Sequence, residues 1–164
     1  MAGVVVRRAA AVDLAELPAV ETAADELFRA RGVLDLPPAG SAEERAAAWR
    51  VLVAGRPVRG FAVLEQVDGE VHLEQLSVHP DVMRQGIGAA LLAASVEEAR
   101  AAGARRVTLL TYADVPWNGP WYARHGWRET TDLGPGLRAQ REHELAVGLD
   151  RHGRRIAMAR PTSP

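Results

Sequence analysis

Apolar and polar positions along this chain follow two periods, and the points where the period changes mark its elements. Val4-Val5-Val6-Arg7 is a short β-branched run and predicts a first strand. Leu14, Leu17, Val20, Leu27 and Phe28 then fall near one helical stripe reaching about Arg31. Asp13 and Glu16 ahead of that stripe have the spacing of a capping box. Residues 32–40, with Pro37-Pro38, read as a loop, and Ser41-Ala42-Glu43-Glu44 repeats the cap pattern before a second short helix. From Trp49 the period shortens towards two. Residues 49–53, 58–66 and 71–78 predict three strands, with Arg56-Pro57 and Asp68-Gly69 as the turns between them.

The second half returns to the helical period. Residues 86–102 predict a helix with Ile87, Leu91, Leu92 and Val96 on one face and Gly103 as its stop. Val107-Thr108-Leu109-Leu110-Thr111-Tyr112 is an apolar strand, suited to a buried parallel position. A strand, crossover helix and strand of these lengths form a right-handed βαβ unit. Residues 117–120 read as a loop or helix start, 121–125 as a short helix ended by Gly126, 137–149 as a further helix and 155–159 as a last strand. Residues 161–164 are expected to fray. No repeat or linker divides the sequence, so the expectation is one domain over 1–164 with its core at about 4–160.

Composition narrows the function. The net charge of −1 over 164 residues argues against a nucleic-acid or polybasic membrane partner. No apolar run reaches the length of a membrane span or a signal peptide. The chain has no cysteine, which removes disulfides, a thiol nucleophile and thiolate metal sites and fits a cytoplasmic location. Every basic side chain is arginine. His125, His143 and His152 have no metal-ligand spacing with an acidic set, so no metal is expected.

The most informative stretch is His79-Pro80-Asp81-Val82-Met83-Arg84-Gln85-Gly86-Ile87-Gly88-Ala89-Ala90-Leu91-Leu92. It joins a strand end to a helix start through two glycines, where backbone N–H groups can approach a ligand. The unpaired N–H groups and positive dipole end of the helix favour a pyrophosphate. A close helix–strand packing turn would use the same two glycines. A Rossmann reading fails, because Leu91 stands at the third glycine position.

Leu76-Ser77-Val78-His79-Pro80, the Gln85-Gly86-Ile87-Gly88-Ala89-Ala90-Leu91-Leu92 turn, the helix and strand that follow, and Trp121-Tyr122-Ala123-Arg124-His125-Gly126-Trp127 come in an order and spacing that resembles the GNAT superfamily of N-acetyltransferases. The resemblance implies an α/β (α+β) fold: a mixed, splayed central sheet flanked by helices, with the βαβ unit as the cofactor unit. It implies acetyl-CoA lying between the strand at 71–78 and the strand at 107–112. The backbone of Leu76, Ser77 and Val78 would pair with the pantetheine arm. The N–H groups of Arg84, Gln85, Gly86, Ile87, Gly88 and Ala89 would hold the pyrophosphate. The sequence departs from the family pattern at Met83, where Arg or Gln is usual, and Arg84 is the substitute phosphate partner. An asparagine usual at the position of Val115 is replaced in role by Asn118, which equally reads as a helix cap.

Acetyl transfer to an amine needs a neutral amine, a polarised thioester carbonyl and a protonated leaving thiolate. A lysine-type amine is neutral about one part in two thousand at pH 7, and an α-amine about one in ten. A base is therefore needed most for the first kind. Glu74 is the candidate base; a solvent-facing carboxylate paired with an arginine is the plainer role for it. By alternation Glu74 shares a strand face with His72, Leu76 and Val78. His72 and His79 are weaker candidates. Tyr122 is, by resemblance, the general acid to the CoA thiolate; as a core aromatic it would have no such role. A backbone N–H near Val78 would polarise the carbonyl. Trp117, Trp121 and Trp127 read as core and pocket lining. The acceptor is a small-molecule or peptide amine, with a pocket from residues 13–40 and 128–150. A non-catalytic acyl-CoA-binding or sensing module remains the alternative, and the oligomeric state stays open, a homodimer included.

Overall fold

β-branched and aromatic residues drive the first half of the chain into an antiparallel meander. In the computed structural model, which describes residues 3–163, β1 (Val6–Arg8) pairs with β2 (Arg50–Ala54), and β2 pairs with β3 (Gly60–Val67). β3 turns into β4 (Glu70–Val78) at Asp68-Gly69, whose φ angles of +56° and +76° match the primed turn that such a dipeptide favours. The strands hydrogen-bond in the order β1-β2-β3-β4-β5-β7-β6, with β5 (Arg106–Tyr112), β6 (Arg128–Glu129) and β7 (Arg155–Pro161) in the second half. The mixed sheet with flanking helices agrees with the expected fold class. The chain packs as two compact units. One holds the residues up to Glu65 with Leu73–Ser95, the other Gln66–His72 with the residues from Val96 onward.

In the first unit, Leu17, Val20, Val51, Val53, Val58, Phe61 and Val63 form the core under α2 (Leu17–Arg29). The stripe predicted as one helix is two, α1 (Ala11–Leu14) and α2, and the capping box at Asp13 and Glu16 is corrected. Asp13 lies inside α1, where its carboxylate takes the Ala10 N–H at 2.7 Å and a forked pair of bonds from Arg7 at 2.6 and 2.9 Å. Glu16 instead accepts the Val58 N–H at 2.7 Å. Asp13 thus caps α1 from its first turn, and only Glu16 is drawn to a partner distant in sequence. Ser41 does cap α3 (Ala42–Ala46): its hydroxyl accepts from Glu44 N–H at 3.1 Å and Glu44 reaches back to Ser41.

In the second unit, β4 begins parallel to β5 through the pairs Val71↔Val107 and His72↔Thr108, and β5 pairs with β7 along all seven of its residues. α4 (Ile87–Ala101) starts in the first unit and ends in the second. The helix predicted at 121–125 is α5 (Gly119–Arg124), and that at 137–149 is α6 (Pro135–Ala146) followed by a 3-10 turn, Leu149–His152. Gly148, at φ +83°, ends the α-helical run early. α6 starts early because the Asp68 carboxylate accepts the Gly136 and Leu137 N–H groups at 2.8 and 3.0 Å, a cap supplied from the β3–β4 turn. The two-residue β6 is too short to leave a periodicity. Fraying from residue 161 is corrected as far as Thr162, which is buried with its hydroxyl 2.7 Å from the Ala104 carbonyl; Pro164 lies outside the described residues. Among the described residues no helix is long and apolar enough to cross a membrane.

Candidate cofactor cradle and catalytic groups

The chain leaves β4 through His79-Pro80. His79 Nδ1 accepts the Asp81 N–H at 3.2 Å and so caps a 3-10 turn at Pro80–Val82, while its own N–H donates to the Arg59 carbonyl at 2.8 Å. Strand alternation then turns the Val78 N–H to the opposite edge of β4 from Arg59. Ser77 is buried and its hydroxyl accepts from Gln75 Nε2 at 2.9 Å, while Leu76 and Val78 are half-buried.

Residues 83–86 form an exposed turn into α4. Arg84 and Gly86 both sit at positive φ, +62° and +83°. A Cβ added at Gly86 would meet nothing within 4 Å, so glycine is there for its backbone and not for space. The first N–H returned to this segment is that of Ala90, bonded to the Gly86 carbonyl at 3.0 Å. Among the described residues, none accepts a hydrogen bond from the N–H groups of Arg84, Gln85, Gly86, Ile87, Gly88 or Ala89. Six successive donors, a left-handed bend and the positive end of a 15-residue helix make a concave anion site. The donor set fits a pyrophosphate.

Gly60 sets where that helix end lies. A Cβ there would fall 2.8 Å from Ile87 Cγ2, 3.1 Å from Leu91 Cδ1 and 3.2 Å from the Ser77 carbonyl. The missing side chain lets the first turn of α4 rest on the sheet beside the end of β4. Gly60 escaped the sequence reading because a glycine opening a strand carries no pattern of its own. Met83 is exposed, as is Arg84.

Glu74 stands on β4 in the same unit. Its Oε2 accepts from Arg45 Nη1 at 2.7 Å, and its side chain keeps 41% exposure. The partner Arg45 comes from α3 and was not singled out in the sequence. His72, two residues earlier, is buried against Thr108 Oγ1 at 2.9 Å, and burial holds its pKa down at about 4, so the ring is neutral at neutral pH.

Tyr122 and Asn118 lie in the second unit on and before α5. Tyr122 is buried, with its ring edge-on to Trp121 at 5.1 Å and to Trp127 at 5.9 Å. No described residue is a hydrogen-bond partner of its hydroxyl. Burial pushes the phenol above its usual range, with Arg155 opposing the shift. Asn118 precedes α5 without a side-chain capping bond, so the cap reading of that residue is not realised; its carbonyl accepts the Tyr122 N–H at 2.9 Å. Trp127 is fully buried.

Comparison with known proteins adds the following. The family model described as an acetyltransferase (GNAT) domain matches residues 47–129. A mycothiol acetyltransferase of Kineococcus radiotolerans is 40% identical over 88 residues, covering 50% of this chain and 28% of that protein. The chain thus spans little over a quarter of that relative. An N-acetylglutamate synthase from Neisseria gonorrhoeae, solved with coenzyme A and N-acetyl-glutamate, superposes with a TM-score of 0.73 at 21% identity, over 100% of this chain and 36% of the other. The PaiA N-acetyltransferase of Thermoplasma acidophilum, solved with coenzyme A, gives 0.71 at 15% identity over 98% and 99% of the two chains. The ribosomal-protein-S18-alanine N-acetyltransferase of Escherichia coli gives 0.68 at 21% identity over 99% and 96%. At these identities the structures show a shared fold.

Proposed function

The chain belongs to the GNAT acetyltransferase family, and on that premise we propose that it transfers the acetyl group of acetyl-CoA directly to a primary amine of a small molecule or peptide. The observation that carries the reading is the run of unengaged N–H groups from Arg84 to Ala89 at the end of β4. In this reading those groups hold the pyrophosphate, with Arg84 as the side-chain partner that Met83 does not supply. The Leu76, Ser77 and Val78 backbone takes the pantetheine arm as an added strand, and Asn118 contributes a further polar contact.

Acetyl-CoA supplies an activated carbonyl carbon and a thiolate leaving group. Glu74 accepts the amine proton on Oε1, the oxygen that Arg45 does not engage. The Val78 N–H steadies the developing oxyanion. The C–N bond forms and the C–S bond breaks. Tyr122 gives its proton to the departing thiolate and recovers one from solvent, and Glu74 returns the amine proton to solvent. Burial keeps the phenol protonated at rest, so its hydrogen is in place when the thiolate departs. A cytoplasmic location fits a chain that draws on acetyl-CoA.

Isothermal titration of the whole chain with acetyl-CoA tests the cradle. Saturable binding is expected, and no heat of binding up to millimolar cofactor would overturn the reading. Binding without transfer to any amine would leave an acyl-CoA-binding module.

A further inference from the structure

Three segments of the first unit meet at the guanidinium of Arg45. Its Nη1 donates to Glu74 Oε2 at 2.7 Å, and its Nη2 donates to Glu21 Oε1 at 2.6 Å. The other Glu21 oxygen accepts the Gly40 N–H at 3.1 Å. The side chains of Arg45 and Glu21 are 9% and 6% exposed, against 41% for Glu74. The network is therefore lopsided: two sealed members hold one that opens to solvent.

Gly40 completes it. A Cβ at this position would lie 2.6 Å from Arg45 Cζ and 2.7 Å from its Nε and Nη2. The backbone of Gly40 serves as the floor on which the guanidinium lies, and a side chain there collides with it, so that the guanidinium must shift. Phe61, with its ring centroid 5.9 Å from Arg45 Cζ, backs the other side. Burial pushes the Glu21 carboxyl up, and the Arg45 charge and the Gly40 N–H pull it back. Buried ion pairs add little net stability over apolar packing, whereas their fixed geometry can place a group.

We propose that Arg45 and Gly40 are positioning residues for Glu74: Gly40 leaves room for the guanidinium, Glu21 anchors it, and Arg45 fixes one oxygen of Glu74 so that the other faces the incoming amine. This rests on the reading of Glu74 as the base. Substitution at Gly40 is the sharpest probe, since G40A leaves all three charged side chains in the protein and displaces only the guanidinium.

The test is steady-state kinetics of the full chain with acetyl-CoA and the fastest acceptor from a panel of polyamines, amino acids, aminoglycosides and short peptides. Acetyl-CoA affinity is measured alongside by calorimetry. G40A should lower kcat by roughly ten- to a hundredfold, the scale of a misplaced catalytic group, with acetyl-CoA affinity unchanged. R45K should retain more activity than R45M. In an E74Q background, G40A should change kcat less than about twofold, because its target is already gone. Wild-type kcat in G40A, or an equal loss from G40A with and without Glu74, overturns the proposal even if R45M fails to fold. Unchanged kcat in E74Q overturns the base assignment together with the proposal, which separates the two failures.

Discussion

Burial keeps the Tyr122 phenol protonated at rest. Its phenol is pushed above the ordinary range, so it is no base at neutral pH, and the donor role is the one the proposed transfer gives it. Tyr122→Phe removes the donor and keeps the ring contacts with Trp121 and Trp127. Turnover should fall by roughly 10- to 1000-fold with acetyl-CoA affinity nearly unchanged, as kinetics and calorimetry on the same preparation would show. The raised phenol also predicts that kcat has no alkaline limb from Tyr122 below about pH 10. A pH profile that retains such a limb in the wild type and loses it in Tyr122→Phe would remove the assignment. The element around Tyr122 was legible because aromatic, tyrosine and glycine stand at short fixed spacing in the sequence. Arg45 was not legible, since its partners Glu21 and Glu74 stand 24 and 29 residues away and an arginine in a charged helix carries no mark of burial.

At the scale of elements, the β4–α4 junction depends on backbone shape. Gly86 needs its positive φ, so Gly86→Ala should cost about 1 kcal/mol of stability from backbone strain and weaken acetyl-CoA binding several-fold. Chemical denaturation and calorimetry read the two effects, and an Ala variant equal to wild type in both would contradict this account of the turn. The β3–β4 hairpin has a second task, because Asp68 holds the start of α6 through the Gly136 and Leu137 N–H groups. Asp68→Ala should cost about 1 kcal/mol, as for a lost helix cap, although Asp68 lies 68 residues from Gly136. Periodicity located most strands and helices to within a few residues. It failed where a partner distant in sequence decided the boundary, as Val58 did for Glu16 and Asp68 for the start of α6, and where Asp13 turned back to Arg7.

At the scale of the whole molecule, acid stability follows from His72. Its folded pKa of about 4 lies below the usual 6.5, so the unfolded chain binds the proton more tightly. Stability is therefore complete above about pH 6.5 and falls as pH drops towards 4, by about 3 kcal/mol from this group. His72→Gln should flatten that part of the stability–pH curve, measured by urea unfolding from pH 7 to 4. Equal slopes in both proteins would contradict the assignment. The resemblance to the family rested on the glycine turn and the tyrosine element, and both fall within the matched residues 47–129. The proposed acceptor side left no such pattern, since residues 13–40 and 128–150 carry charges of ordinary helix surfaces. The proposed transfer itself is tested most directly by the thiol released from acetyl-CoA. Because the chain has no cysteine, a thiol-reactive chromophore reports CoA alone. The account predicts thiol release that requires a primary amine and equals, mole for mole, the N-acetylated product found by mass spectrometry. Release no faster with any amine of the panel than without one, by protein that binds acetyl-CoA, would contradict it.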